Sequence, residues 1–326
     1  MARKWITGID IGHHSTKAVV LNYEDTDIKI VNQLELNGCG AIFADPHTLK
    51  HQETVKKLKI LRKIAPIFHK KAAVTIPASA VMSKVITLDA RLAEDELEYA
   101  VYQAMNYQSP FDNDALALDF VADCNNQPSI NGENIAYQVH VTRRHTMDNW
   151  QQAVKAIGFK PELVSSNVHS LRSFHKLLLS KFPHLSRRVL IDIGHTYVSL
   201  LPPNLLPIEL HKVWMLPSED EVSLSFQTSY KPAITLRLDA ALLKANTQLQ
   251  LYRSMLNGKT IDGILVTGGH ANDDEMISMI ASRTNMTVES INNYLPSFTE
   301  NQSQIGSAFV TALGTAYSAI QWFKER

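Results

Sequence analysis

The sequence predicts an α/β chain of two similar lobes around a ligand cleft, and three observations predict it. Residues 5–21, WITGIDIGHHSTKAVVL, read as a β-hairpin: two runs rich in Ile, Val and Thr, broken at Gly12-His13-His14-Ser15. The stretch Ile9-Asp10-Ile11-Gly12-His13 recurs letter for letter as Ile191-Asp192-Ile193-Gly194-His195, inside RVLIDIGHTYVSLL at 188–201. An internal repeat at long spacing implies two related lobes. The third observation is residues 262–271, DGILVTGGHA, an apolar strand running into Gly268-Gly269.

The chemistry of these three pieces points one way. A carboxylate inside an apolar strand, as at Asp10, is costly unless a cation meets it. Gly12 allows close backbone approach at the tip, and Ser15, Thr16 and Lys17 add two hydroxyls and an ammonium. Such a set can hold a phosphate chain and its Mg²⁺, with Lys17 and backbone N–H groups on the phosphates and Asp10 on the hydrated metal. A plain polar-tipped hairpin would explain the first stretch alone; the repeat favours a ligand. The second hairpin adds Asp192, Gly194, His195 and Thr196, with Asp192 as the second metal-facing carboxylate. Gly268, Gly269 and His270 at the Gly-Gly strand end suit a flat ligand.

Two Asp-x-Gly hairpins, then a Gly-Gly strand, then a small-residue helix is the order of the nucleotide-binding fold of actin and the sugar kinases. More narrowly, the chain resembles the PilM (HofM) family, cytoplasmic actin-like proteins of type IV pilus assembly related to the cell-division protein FtsA. The narrower match rests on AVTIPASAVMSKVITLD (73–89), LAEDELEYAVYQAMNYQSPF, LDFVADC, YQVHVTRR and WQQAVKAIGFKPELVSSNVHSL. It covers nearly the whole chain except about residues 202–240.

The resemblance implies an actin-like, ribonuclease H-like duplicated two-lobed ATP-binding fold. Residues 1–77 with 304–326 would form the first lobe (1A). Residues 78–164 would form an inserted FtsA/PilM-type subdomain (1C), and 165–303 a second lobe with a reduced upper part (2A and 2B). It implies ATP or ADP with Mg²⁺ as cofactor. It implies a groove between first lobe and insert that takes the N-terminal tail of the inner-membrane protein PilN, contacts with other pilus assembly proteins, and self-association. The expected place is the cytoplasm, at the inner face of the inner membrane, with the membrane reached only through a partner.

Composition agrees with these expectations. Lys plus Arg equals Asp plus Glu at 32 each, which argues against direct nucleic-acid binding. Two cysteines, Cys39 and Cys124, with no CxxC and no secretory leader, fit a reducing cytoplasm. Thirteen histidines form no HxxxH or His/Cys cluster that would read as a zinc site.

In chain order, 27–36 reads as a third strand, 38–46 as a loop, and 48–68 as a basic helix with Leu49, Val55, Leu58, Leu61 and Ile64 inward and its lysines in water. Residues 71–89 read as two strands broken at Pro77. A helix with an acidic first turn follows, its stripe being Ala93, Leu97, Ala100 and Ala104, ended by Ser109-Pro110. A β pair, 116–123 and 135–142, flanks a polar loop at 124–133. Thr146 is expected to cap a helix carrying Trp150, Val154 and Ile157, closed by Gly158. Val168, Leu171, Phe174 and Leu178 line the next helix. After the second hairpin come Pro202-Pro203, a strand-like 208–215 and SEDEVSLSF, in place of the turn and longer helical stretch usual in the family it resembles, and that departure implies a reduced upper subdomain and weaker control of cleft closure. Asp239 is expected to cap a long helix to Asn257-Gly258, with Leu242, Leu249, Tyr252 and Leu256 inward. Residues 305–323 carry no charge, but Ser307, Thr311, Thr315, Ser318 and Gln321 interrupt them, and Gly306, Ala308, Ala312, Gly314 and Ala316 suit a closely packed helix rather than a membrane span.

Two functions compete at this stage. One is a nucleotide-loaded scaffold; the other is an actin-like ATPase that drives assembly by hydrolysis. A small-molecule kinase is a distant third, lacking a substrate-pocket motif. Hydrolysis needs a side chain to position water. The segment expected to supply it, Ser165-Ser166-Asn167-Val168-His169-Ser170, holds no carboxylate or glutamine. That favours slow or absent turnover, with no residue assigned as catalytic.

Overall fold

The computed structural model describes residues 4–24, 27–108, 116–122, 134–217, 233–299 and 304–325. Strands β1 (Lys4–Ile11), β2 (Ser15–Glu24) and β3 (Asp27–Asn37) form an antiparallel meander. Two short strands, β4 (Phe43–Asp45) and β5 (Thr48–Leu49), lead to helix α1 (His51–Leu58), which tightens into a 3₁₀ turn at Lys59–Ile64. The single helix expected over 48–68 is therefore a strand end, one short helix and a 3₁₀ segment. Spacing by three puts Leu58, Leu61 and Ile64 on one side of a 3₁₀ helix, so the same leucines still reach the core. Strand β6 (Lys71–Ile76) then lies parallel to β1.

The chain next builds a separate small layer. Strands β7 (Met82–Asp89), β8 (Leu116–Ala122) and β9 (Asn134–Arg143) pair in the order β7-β9-β8, and helix α2 (Glu94–Asn106) covers one face. Three acids occupy the first turn of α2, at the positive end of its dipole. Its packed residues are Val101 and Met105 with Leu97 and Ala104, while Ala93 is exposed. Ser109-Pro110 and the loop at 124–133 lie outside the described residues.

Helix α3 (Arg144–Ala156) and strand β10 (Lys160–Ser166), expected in the insert, sit instead with the first sheet. β10 pairs parallel with β6, and Trp150, Ala153, Val154 and Ile157 share a core with Ile9, Ala72 and Val74. The insert's own sheet thus ends at Arg143 rather than near 164. Thr146 is no cap: it is buried inside α3, which starts after Arg143 without a side-chain cap. Gly158, at φ +96°, does close the helix.

Helix α4 (Asn167–Lys181), capped by Ser166 Oγ accepting from His169 N–H, crosses to the second sheet. There follow β11 (Arg188–Ile193), β12 (Tyr197–Leu201), β13 (Lys212–Met215), α5 (Ala233–Met255), β14 (Gly263–Gly268), α6 (Asp274–Thr284), β15 (Val288–Ser290) and the closing helix α7 (Val310–Glu325). The two five-stranded sheets have the same order, β10-β6-β1-β2-β3 and β15-β14-β11-β12-β13. In each, a three-strand meander has a fourth and a fifth strand laid parallel beside its first strand, so the repeat read in five residues extends over a whole sheet.

One core joins the sheets. Ile6, Val19 and Leu21 of the first sheet, Leu190 and Leu265 of the second, and Leu171, Phe174 and Leu313 of α4 and α7 form a single cluster. The small residues of α7 allow this: a Cβ at Gly314 would lie 1.9 Å from the Ser170 carbonyl oxygen, and one at Gly8 would lie 2.0 Å from that of Ala312. α7 is a buried packing helix as expected, and no helix among the described residues is long and apolar enough to cross a membrane. The long helix α5 begins at Ala233, so Asp239 lies inside it and pairs with Arg283 of α6 at 2.7 Å instead of capping. Leu242, Leu249, Tyr252 and Leu256 are buried as expected. The strand-like 208–215 is a 3₁₀ turn, Ile208–Leu210, and then β13. SEDEVSLSF at 218–226 lies outside the described residues.

Candidate functional site

Both hairpins turn in the same way. Gly12 N–H donates to Ser15 O at 3.1 Å, and Gly194 N–H donates to Tyr197 O at 2.9 Å. A Cβ at Gly12 would come within 2.9 Å of the Ser15 oxygen it must reach. Gly268, at φ +96°, would put a Cβ 2.2 Å from Ile193 O, so the close pairing of β14 with β11 at this end needs glycine. At Gly269 a Cβ would meet nothing within 4 Å.

Strand register then assembles the site. Asp10 sits opposite Lys17 in the antiparallel pair and beside Thr75 in the parallel one, and Lys17 sits opposite Glu35. One row, Thr75-Asp10-Lys17-Glu35, therefore crosses the first sheet on one face. Thr75 Oγ1 donates to Asp10 Oδ1 at 2.9 Å, and Lys17 Nζ lies 3.8 Å from Glu35 Oε1. The second sheet repeats the row as Thr267-Asp192-Ser199, with serine where the first has lysine.

That difference sets the electrostatics. Burial pushes the Asp10 carboxyl above its usual range, while Lys17 and the Thr75 hydrogen bond pull it back. Asp192 is pushed up to about 7, by burial first and then by the charge of Asp10, with only Lys17 opposing. Two buried carboxylates thus converge on one ammonium.

A cavity of about 530 Å³ between the sheets is lined by Asp10, Gly12, Ser15, Lys17, Asp192, Gly194, His195, Thr196, Gly268, Gly269 and His270. Of the residues assigned from sequence, only Thr16 turns away: it is fully buried, and its hydroxyl donates to Cys39 Sγ at 3.3 Å. Strand alternation explains this, since 15 and 17 share one face and 16 takes the other. The two hairpin tips touch across the cleft, with the rings of His14 and His195 stacked at 4.6 Å. His13 stacks on Phe43 at 3.8 Å.

Sequence reading missed Thr75, Glu35, Tyr197 and Arg237, all of which line the cavity, as does Asn167 of the segment expected to position water. Arg237 donates to His195 O at 2.6 Å and to Pro217 O at 2.5 Å, tying the second tip to α5. Asn167 is held by the backbone: its Oδ1 accepts from Ala78 N–H at 2.9 Å and Val168 N–H at 3.0 Å. Burial and the two carboxylates push the Tyr197 phenol well up.

The donor set fits a divalent cation carrying a phosphate chain. Two carboxylates are raised, by burial first, one lysine opposes both shifts, and Ser15 Oγ is buried without a hydrogen-bond partner. Among the described residues no group of three or more His, Cys, Asp or Glu could hold a metal by itself. Asp10 and Asp192 would therefore hold a hydrated ion together with a ligand's own oxygens.

A second cavity, about 330 Å³, lies between the insert and the first sheet. Leu118, Asp119 and His140 line it from the insert; Leu163, Ser166 and Trp322 line it from β10 and α7. β8 and β10, which both contribute, are edge strands of their sheets. The rings of His140 and His169 meet edge to face at 4.4 Å on its wall. Burial, and after it the neighbouring His140, lowers His169 to about 3, and its Nδ1 lies 2.8 Å from Ser166 Oγ. Ile76 lines both cavities.

Comparison with known proteins adds the following. The family model of the type IV pilus assembly protein PilM matches residues 8–201. The solved PilM-PilN type IV pilus biogenesis complex is similar over 97% of this chain and 98% of that one, at 17% identity and a TM-score of 0.73. The activator of 2-hydroxyisocaproyl-CoA dehydratase from Clostridium difficile, solved with bound ADPNP, covers 98% of this chain and 96% of its own at 13% identity and a TM-score of 0.44. The MamK double helical filament covers 98% and 99% at 8% identity and 0.46. The fold is the actin-like one.

Proposed function

Because the chain belongs to the family of the type IV pilus assembly protein PilM, whose model spans residues 8–201, we propose that it is a nucleotide-binding scaffold of a pilus-type assembly machine. Its cleft holds ATP or ADP with Mg²⁺. Its second cavity holds the short N-terminal tail of a PilN-type inner-membrane protein, which keeps the chain at the cytoplasmic face of the inner membrane. The observation that carries the nucleotide half is the pair of matching Asp-x-Gly hairpins facing across one cavity. Asp10 and Asp192 would hold the hydrated metal, Lys17 and the hairpin-tip N–H groups the phosphates, and the Gly268-Gly269 turn, open at Gly269, the flat part of the nucleotide.

Scaffolding rather than brisk turnover is supported by Asn167. It occupies the segment expected to position water, yet its carbonyl oxygen already accepts two backbone N–H bonds. The ATPase reading has one observation in its favour, since a carboxylate at about 7 such as Asp192 suits a general base. Phosphate release decides between them. The unmodified chain should bind Mg-ATP and release phosphate at barely more than background, and Asp10→Ala should lose binding. A brisk, Mg-dependent release that Asp10→Ala abolishes would restore the enzyme.

For the tail, β8 and β10 offer strand edges and the cavity offers side-chain pockets, the combination an extended peptide needs. Among PilM relatives the tail groove is expected between first lobe and insert, which is where this cavity lies. Contacts with other assembly proteins and self-association belong to the same reading.

A further inference from the structure

The segment from 54 to 88 contains no Asp or Glu, although the whole chain balances its charges at 32 each. It carries Lys56, Lys57, Lys59, Arg62, Lys63, Lys70, Lys71 and Lys84. In its middle, three large apolar side chains are left in water: Ile60 at 44% exposure, Ile67 at 78% and Phe68 at 93%. Lys59, Lys63, Lys70 and Lys71 around them are exposed.

This apolar tip is held in place. The Arg62 guanidinium donates to the carbonyl oxygens of Ala65 (3.1 Å), Pro66 (3.2 and 3.3 Å) and Ile67 (2.6 Å), and it stacks over the Phe159 ring at 5.4 Å. His69 N–H closes the turn on Pro66 O at 3.0 Å, and Trp5 stacks on the His69 ring. Lys160 N–H donates to Lys70 O at 2.6 Å, fastening the end of the loop to β10. An arginine fully engaged in holding a turn whose tip residues are Ile and Phe marks a prebuilt contact.

We infer that the Ile67-Phe68 turn is a direct membrane contact, its two apolar side chains entering the headgroup–acyl boundary of an anionic bilayer while Lys59, Lys63, Lys70 and Lys71 meet the lipid headgroups. Charge complementarity selects the occupant: apolar anchors ringed by cations and free of acids suit an anionic lipid surface. A folded protein partner would need roughly 800 Å² of each surface, far more than two projecting side chains supply. The nearest carboxylate on β10, Glu162, is paired with Lys160 at 2.9 Å. The turn also lies on the side of the second cavity. Leu163, which lines that cavity, pairs with Ala73, two residues beyond Lys71, and Lys71 Nζ sits over the Phe323 ring next to Trp322. A tail seated there and anchored in a bilayer would bring the turn toward the same bilayer, although the contact stands without the tail.

The test is co-sedimentation of the full chain, with no partner present, with phosphatidylcholine vesicles with and without one-third phosphatidylglycerol. The unmodified chain should pellet only with the anionic vesicles, and less so as salt is raised. The Ile67→Ser/Phe68→Ser pair, at positions too exposed to affect folding, should lower the bound fraction roughly tenfold, and Lys63→Glu/Lys70→Glu should do likewise. A Phe68→Trp variant should shift its emission to the blue on anionic vesicles only. No pelleting with anionic vesicles, serine variants that pellet like the parent, or unshifted emission would each overturn the inference and leave the turn to a protein partner. Binding of Mg-ATP and of a soluble tail peptide, measured in parallel, reports on the proposed function separately.

Discussion

Replacing Asp192 with Asn should stabilise the empty protein and destroy its response to Mg-ATP, two effects of opposite sign from one carboxylate. Asp192 is 5% exposed, and its ionisation is pushed from 3.8 up to about 7 by burial and by Asp10. A shift of that size is worth at most about 4 kcal/mol, at about 1.4 kcal/mol per unit, and part of it is repulsion shared with Asp10, so about 2–4 kcal/mol is expected. Because the folded-state value lies above the unfolded one, the penalty vanishes only below the unfolded value, at about pH 3. It grows as pH rises toward 7 and persists above it. Asn resembles the protonated acid and removes the titration. With metal chelated, the Asp192→Asn variant should match the parent at about pH 3 and exceed it by about 4–8 °C in melting temperature at pH 8, taking about 2 °C per kcal/mol for a chain of this size. Adding Mg-ATP at pH 8 should raise the melting temperature of the parent and leave the variant unmoved. A metal-free variant no more stable than its parent at pH 8 would refute the claim that the two carboxylates are held together without enough positive charge.

Gly314→Ala should destabilise by about 3 kcal/mol, read by chemical unfolding, because its Cβ would meet the Ser170 oxygen at 1.9 Å and separate α4 from α7. Burial lowers both His169 and His175 to about 3, so the folded state refuses protons that the unfolded state accepts below 6.5. Stability should therefore fall by about 1.4 kcal/mol per pH unit for each histidine between pH 6.5 and 3, and His175→Leu should remove one of the two slopes. Lys17→Met should weaken Mg-ATP binding by calorimetry roughly tenfold or more, since this ammonium, which acts on both carboxylates, is the cation proposed to meet the phosphates.

What could be read from the sequence was whatever depends on neighbours along the chain. The hairpins at 5–21 and 188–201 are local, and so is the alternation that sets Lys17 opposite Asp10. The same alternation put Thr16 on the far face, a signal available in the strand period and outweighed by its place between Ser15 and Lys17. Thr75 and Arg237 reach the cleft only through pairings and crossings some 65 or more residues from Asp10, and nothing adjacent to them marks the destination. Helix α3 shows the limit clearly. Its Trp150-Val154-Ile157 stripe announces a buried face, but an apolar face does not say which sheet it will cover, so the insert was extended over a helix and strand that complete the first sheet. Asp239 resembles a cap by residue type alone, although the helix already starts at Ala233.

The central claim, a scaffold that grips a membrane protein's tail between insert and first sheet, is tested most directly by calorimetric titration of a synthetic PilN-type N-terminal peptide into the full chain and into its Leu163→Arg variant. Leu163 lines the second cavity and not the one between the two hairpins. One-to-one binding at about micromolar strength, roughly 8 kcal/mol, is expected, lost in Leu163→Arg and kept in Asp10→Ala. Binding of equal strength in Leu163→Arg, or no binding to the unmodified chain, would contradict it.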